Sequence, residues 1–419
     1  MDQVDQRRLT NQQSDTLSAR EAARRLGVKL ATLYAYASRG LIQSVPAERG
    51  RGRRYPAADV ERLRARADAR SGHGPVAAGA LRWGEPVLTT ALSSIRADGP
   101  AYRGESAVEL ARRGLGFESV AELLWTGNLA EDARWAPSAR PETLHRVCAS
   151  LPPSSAPLPT LLAAVPLLSL ADPERYAAPA PAEWERARWL LRALAALLAA
   201  GRGKSVVDEA HRAPTLAEAV AIALGASPRK ARATLNRVLI LCADHELNAS
   251  TFAARVVAST GADLYACVAG ALAALTGPRH GGASDRIEAL LDEVDEPERA
   301  REVLAGRESR GDAIPGFGHP LYPDGDPRAL PMLESALELA GKSPRLATLI
   351  AVHNAMRRAR RDHANLDFGL VAIARALGLK RGTAAALFAL GRTAGWIAHA
   401  LEQREAGYLI RPRAAYVGK

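Results

Sequence analysis

Residues 316–329 read GFGHPLYPDGDPRA, with three glycines, three prolines and two aspartates in fourteen positions. Proline fixes φ and removes a backbone donor, and glycine enters conformations closed to other residues, so this run cannot continue a helix. It predicts a shaped loop that holds out one histidine, His319, with Arg328 near its far end. The plain alternative is a helix–helix connection. A stiff polar loop set between helix-forming segments is better suited to walling a site than to tethering two elements. Aromatics make up only 5% of the chain, and alanine and leucine are abundant, which favours a mainly α fold.

At 419 residues the chain exceeds one simple core and predicts two or three domains. Its three cysteines, Cys148, Cys242 and Cys267, lack metal-ligand spacing and fit a reducing compartment rather than a disulfide framework. The first ten residues are polar and show no secretory pattern, and the apolar run 189–201 is too short for a bilayer and is broken by Arg192. A cytoplasmic protein with no membrane partner is expected. No P-loop is present and no GxGxxG follows a strand, which argues against nucleotide hydrolysis and a nicotinamide site.

The formal charge of +11 is uneven. Residues 1–70 hold fifteen Lys or Arg against eight Asp or Glu, a surplus of +7, and the other 349 residues contribute +4. Residues 1–15 read as disordered. A short helix is expected over 17–26, with Ser18 and Glu21 spaced for a capping box, then a turn at 27–29 and a second helix over 30–39 stopped by Gly40. The basic, glycine-rich run 49–55 suits a wing, a basic helix over 59–70 closes the module, and 71–79 reads as a linker. The pattern is similar to the excisionase and MerR-type winged helix-turn-helix. That similarity, with the local basic surplus, makes DNA a candidate partner, with Lys29, Thr32, Tyr34 and Tyr36 facing the groove or nearby phosphates and Arg51, Arg53 and Arg54 on the DNA backbone. A helical appendage with a solvated basic face is the alternative.

Four further stretches bear on the rest of the chain: DHELNASTFAARVV at 244–257, TGPRHGGA at 276–283, NLDF at 365–368 and GRTAGWIAH at 391–399. With the GFGH loop, and with a TALSSI start near Leu88, their order and character resemble the citrate synthase family. The resemblance implies a two-domain helical body over residues 80–419, with a smaller domain at about 280–385 inserted in the larger, and a homodimer. It implies condensation of acetyl-coenzyme A with oxaloacetate and hydrolysis of the citryl thioester, as in the tricarboxylic acid cycle. The alternatives are 2-methylcitrate synthesis from propionyl-coenzyme A, or a DNA-binding metabolite sensor built on the same fold. The thioester is a substrate, and no resident cofactor is expected.

Such a reaction needs a base for a weakly acidic methyl, a donor for the enol oxygen, an acid for the ketone oxygen and cations for a dianion. Residue by residue, the resemblance gives these roles to Asp367, His280, His319, and Arg328 with Arg392. His245 is placed on oxaloacetate, Pro315, Gly316, Phe317 and Gly318 on coenzyme A, and Arg411 in the partner subunit's site. His73, His145, His211, His353, His363 and His399 are read as surface or core residues. Asp244, Glu246 and Asp326 are read as orienting cations and turns, with no metal expected. Two departures stand out. Pro320-Leu321-Tyr322-Pro323 follows the loop histidine where many members carry a cation for coenzyme A phosphates, and Gly369-Leu370 replaces the usual Tyr-Ser after Asp367-Phe368, near the expected acyl pocket.

Overall fold

The computed structural model describes residues 16–46, 52–70, 88–137, 140–152, 156–176, 180–341, 343–359, 363–414 and 416. The chain forms two compact units, residues 1–89 and 90–419. The expected disordered arm and linker, 1–15 and 71–79, lie outside the described residues, as does Arg51.

The first unit holds β1 (Thr16–Ser18), α1 (Ala19–Leu26), α2 (Leu30–Ser38), β2 (Val45–Pro46), β3 (Arg53–Pro56) and α3 (Ala57–Arg70). Its sheet is antiparallel in the order β1-β3-β2, with Leu17 opposite Tyr55 and Val45 opposite Arg54. Leu17 therefore belongs to a strand rather than to the first helix. The capping box forms: Ser18 Oγ accepts from the Glu21 amide at 3.3 Å and Glu21 Oε2 accepts from the Ser18 amide at 3.0 Å. Gly27, with φ at +66°, ends α1 in the left-handed conformation that a side chain resists. Ala22, Ala23, Leu33, Ile42, Tyr55 and Val60 form the small core.

The second unit opens with β4 (Ser93–Arg96), β5 (Gly99–Tyr102) and β6 (Glu105–Ser106), an antiparallel meander that Ser106 joins to α4 (Ala107–Arg112) by capping it. Then follow α5 (Phe117–Thr126), α6 (Pro141–Ser150), α7 (Pro157–Leu170), α8 (Ala180–Leu197), α9 (Lys204–Arg212), α10 (Leu216–Leu224) and α11 (Pro228–Cys242). Pro157 starts α7, because the first turn of a helix has no use for its missing donor. The chain continues through α12 (Ala249–Ser259), α13 (Leu264–Leu275), α14 (Ala283–Val294), α15 (Ala300–Ser309), α16 (Ala329–Ala340), α17 (Ala347–Arg358), α18 (Leu366–Ala376) and α19 (Thr383–Ala406). One continuous apolar core runs from Leu92 to Ala400.

Helix α19 is buried along most of its length and packs on α5, α7, α8, α11, α12 and α13. Two glycines of GRTAGW permit this. A Cβ at Gly391 would stand 2.8 Å from Cys242 Cβ, and one at Gly395 would collide with Asp244 and the Ala243 carbonyl. Gly369 plays the same part where α18 crosses α16, since a Cβ there would meet Met332 Cβ at 2.8 Å. The glycine that departs from the family pattern after Phe368 is thus a close-packing residue between two helices.

Candidate active site

Five segments of the chain build the site. The first is the turn between α11 and α12. Tyr102 of β5 donates from its hydroxyl to the Ile240 carbonyl at 2.9 Å, and Ser93 Oγ accepts from the Glu246 amide at 3.1 Å while bonding to Asp244. The meander thereby holds the Asp244-His245-Glu246 turn, where Glu246 has φ at +54°. His245 is 8% exposed. Its Nε2 lies 2.9 Å from the Tyr322 hydroxyl, and its ring meets His319 edge-on with centroids 5.4 Å apart.

The second segment is the Gly316–Ala329 loop and the third the start of α18, and they are clamped together. The Asn365 amide donates to the Gly316 carbonyl at 2.9 Å, its Nδ2 to the Gly318 carbonyl at 3.1 Å, and the Gly318 amide to the His363 carbonyl at 2.8 Å. Asn365 Oδ1 also caps α18 by accepting from the Phe368 amide at 3.3 Å. Asp326 completes the clamp. It takes Arg328 Nε and a terminal guanidinium nitrogen at 2.9 Å each, and the Leu366 amide at 3.1 Å. His319 and Arg328, on the loop, are thereby fastened beside Asp367, in the first turn of α18. Gly316 is crowded by Phe368 and Ile287, where a Cβ would stand 2.9 and 3.0 Å away, and it holds φ at +90°. Phe317 packs on Phe368 with centroids 4.8 Å apart.

The fourth segment, the turn before α14, brings His280. Its Nε2 lies 2.8 Å from Ser250 Oγ, which also accepts from Trp396 Nε1 at 3.1 Å. Ser284, in the first turn of α14, donates to Asp367 Oδ1 at 3.1 Å and so joins the His280 turn to α18. Arg392 of α19 is 1% exposed, donates from Nε to the Cys242 carbonyl at 2.6 Å and lies over the Phe388 ring.

The electrostatics follow from this burial. Desolvation pushes His280 down to about 4, with Arg392 adding to the effect. Burial and then Arg328 hold His319 below the usual imidazole value, and burial with Arg328 and Arg392 holds His245 well below it. All three rings are neutral near pH 7. The Leu321 amide donates to His319 Nδ1 at 3.1 Å, which leaves the proton on Nε2. Burial raises Asp367 above the ordinary carboxylate range, against the pull of Ser284 and Arg328. Burial would also raise Asp326, but Arg328 reverses the effect and holds it below. Asp244 behaves likewise, with His399 and Arg392 overcoming its burial. The result is a carboxylate of strengthened basicity and neutral imidazole donors beside two buried guanidiniums, which suits proton abstraction next to a bound dianion.

Sequence reasoning did not single out Tyr322, Ser250, Ser284, Ser93 or Tyr102, each of which holds a site residue or the turn that carries one. The expected orienting roles of Asp244 and Asp326 are visible in their bonds. Among the described residues no group of three or more His, Cys, Asp or Glu could hold a metal, and no helix is long and apolar enough to cross a membrane. Arg411 is exposed in the tail after α19, which is pinned where the Ile410 amide meets Ser259 Oγ at 3.1 Å. In the first unit Tyr36 packs against the module's core, and Arg54 donates from Nε to Thr16 Oγ1 at 2.8 Å. Lys29, Tyr34 and Arg53 are exposed, and Thr32 is half-buried.

Comparison with known proteins identifies the family. The family profile "Citrate synthase, C-terminal domain" matches residues 80–413, and "Helix-turn-helix domain" matches residues 16–68. A 2-methylcitrate synthase of Mycobacterium tuberculosis strain Erdman is 34% identical over 354 residues, 80% of this chain and 89% of the relative. A citrate synthase of Mycolicibacterium smegmatis is 31% identical over 354 residues, 80% and 94% respectively. Among solved structures, citrate synthase from Thermoplasma acidophilum, in ternary complex with carboxymethyl coenzyme A and oxaloacetate, superposes with a TM-score of 0.66 at 26% identity, covering 80% of this chain and 94% of that one. The helical fold and the family match define an enzyme class. The chain belongs to the citrate synthase family, and it carries a helix-turn-helix unit at its N-terminal end.

Proposed function

We propose that the second unit condenses a short acyl-coenzyme A thioester with oxaloacetate and hydrolyses the resulting thioester, yielding citrate from acetyl- or 2-methylcitrate from propionyl-coenzyme A. The observation that carries this reading is the clamp of Asn365 and Asp326, which brings His319, Arg328 and Asp367 together. Oxaloacetate binds first, its carboxylates on Arg328 and Arg392 and a polar oxygen on His245. Asp367 takes a proton from the carbon next to the thioester carbonyl, and His280, steadied by Ser250, donates to the enol oxygen. The new carbon–carbon bond forms at the oxaloacetate ketone as His319 gives its Nε2 proton to the ketone oxygen. Water then cleaves the thioester and releases coenzyme A.

Pro315, Gly316, Phe317 and Gly318 form the wall proposed to receive the thioester arm. The second unit is proposed to work as a homodimer, with Arg411 completing the partner's carboxylate site. The test is oxaloacetate-dependent thiol release from acetyl- and propionyl-coenzyme A. Release from either supports the reading, and the ratio of kcat/KM values ranks the two acyl groups. No release from either would refute it.

The first unit is proposed to bind duplex DNA. What supports this is its winged helix-turn-helix architecture together with exposed Arg20, Lys29 and Arg39, which have no ion-pair partner among the described residues. Binding that weakens steeply with salt is expected.

A further inference from the structure

Resting on the DNA reading of the first unit, we infer that its α2 helix recognises A·T-rich duplex through the thymine methyl groups rather than through polar base edges. Helix α2 reads LATLYAYAS. In a helix-turn-helix the second helix enters the major groove and its early residues meet the bases. Discriminating contacts there come from Arg or Lys to guanine, Asn or Gln to adenine, and Asp or Glu to cytosine. None of these residue types occurs between Leu30 and Ser38.

The face of α2 turned away from the core carries Ala31, Tyr34 and Ser38, with Leu30 beside it. Tyr34 is 52% and Leu30 37% exposed, both large apolar surfaces in water. Leu33, Tyr36 and Ala37 lie in or against the module's core. The one feature of a base pair's major-groove edge that rewards an apolar side chain is the thymine methyl. Exposed cations bracket this apolar face. Lys29 is the N-cap of α2 and Arg39 its C-cap, while Arg20 lies in the first turn of α1. They supply attraction to phosphate that is blind to sequence, and the helix face supplies the preference.

The experiment uses the full chain and a pool of duplexes with a random 20-base-pair core, selected at low salt. The selected site is then resynthesised with deoxyuridine for thymidine, which removes only the methyl. An A·T-rich site is expected, with affinity falling about fourfold for each contacted methyl lost. Tyr34→Ala, at an exposed position, should flatten the thymidine-to-deoxyuridine ratio, and an unchanged ratio would remove Tyr34 from the methyl contact. A G·C-rich site, or equal affinity for thymidine and deoxyuridine duplexes, overturns the methyl contact and leaves DNA binding standing. Failure to retain any duplex overturns the DNA reading and this inference with it.

Discussion

In the second unit the proposed substrate-binding groups are buried and the proposed acid–base groups half-buried, and hydrogen bonds fasten both sets. His245, Arg328 and Arg392 are each under 10% exposed, and burial displaces the titration of His280, His319 and Asp367. In the first unit the proposed contacts, Lys29, Ala31, Tyr34 and Arg39, stand in water on one short helix and its caps. The difference matches the two tasks. Moving a proton from carbon needs a carboxylate stripped of solvent and donors that do not relax as charge develops. Holding a phosphate backbone needs only net positive charge, and a solvated cation supplies it without distorting the fold.

Substitutions should separate the two regions sharply. Asp367→Asn is expected to lower kcat by about 10³-fold, in the range for loss of a general base, with oxaloacetate affinity and DNA binding unchanged. Steady-state kinetics beside calorimetric titration of oxaloacetate checks it, and undiminished turnover would remove Asp367 from its role. Arg328→Ala should raise the KM for oxaloacetate and also destabilise the fold. It strands the buried Asp326 carboxylate, a loss on the order of 3–5 kcal/mol. Arg53→Ala, on the exposed wing, should shift stability by no more than about 0.5 kcal/mol. Denaturant melts of both variants measure the contrast, and equal midpoints would dissolve it.

The pH profile sharpens the comparison further. The proposed base works when deprotonated, so kcat/KM should fall as pH drops through the Asp367 pKa, which burial raises above its ordinary value. Ser284→Ala removes a hydrogen bond that lowers Asp367, so the acid limb should move to higher pH. An unmoved limb would show that another group sets it. The smallest effect belongs to the first unit. Lys29→Ala should reduce the slope of log affinity against log salt by about 1 and weaken all duplexes alike. A change confined to one sequence would assign Lys29 to a base instead.

Much of this was legible in the sequence because the informative residues cluster. The GFGH, NLDF and GPRHGGA stretches each place a proposed acid–base residue among glycines or caps whose local structure follows from their chemistry, and the Ser18–Glu21 box is visible at a spacing of three. What stayed hidden acts across the chain. Tyr322 reaches His245 across 77 residues and Ser93 reaches Asp244 across 151, and a lone hydroxyl leaves no pattern at such separations. The packing role of Gly369 was hidden for the same reason, since it depends on Met332 in another helix. Tyr34 and Tyr36 are two residues apart on a helix and so lie on different faces, Tyr34 exposed and Tyr36 against the module's core.

The most direct measurement is a crystal structure of the chain with oxaloacetate and an inert thioether analogue such as carboxymethyl coenzyme A. The account predicts oxaloacetate held by Arg328, Arg392 and His245, with His319 Nε2 on its ketone oxygen and with Asp367 and His280 against the analogue's terminal group. A ternary complex in which the side chains of His280, His319 and Asp367 face away from both ligands would contradict it.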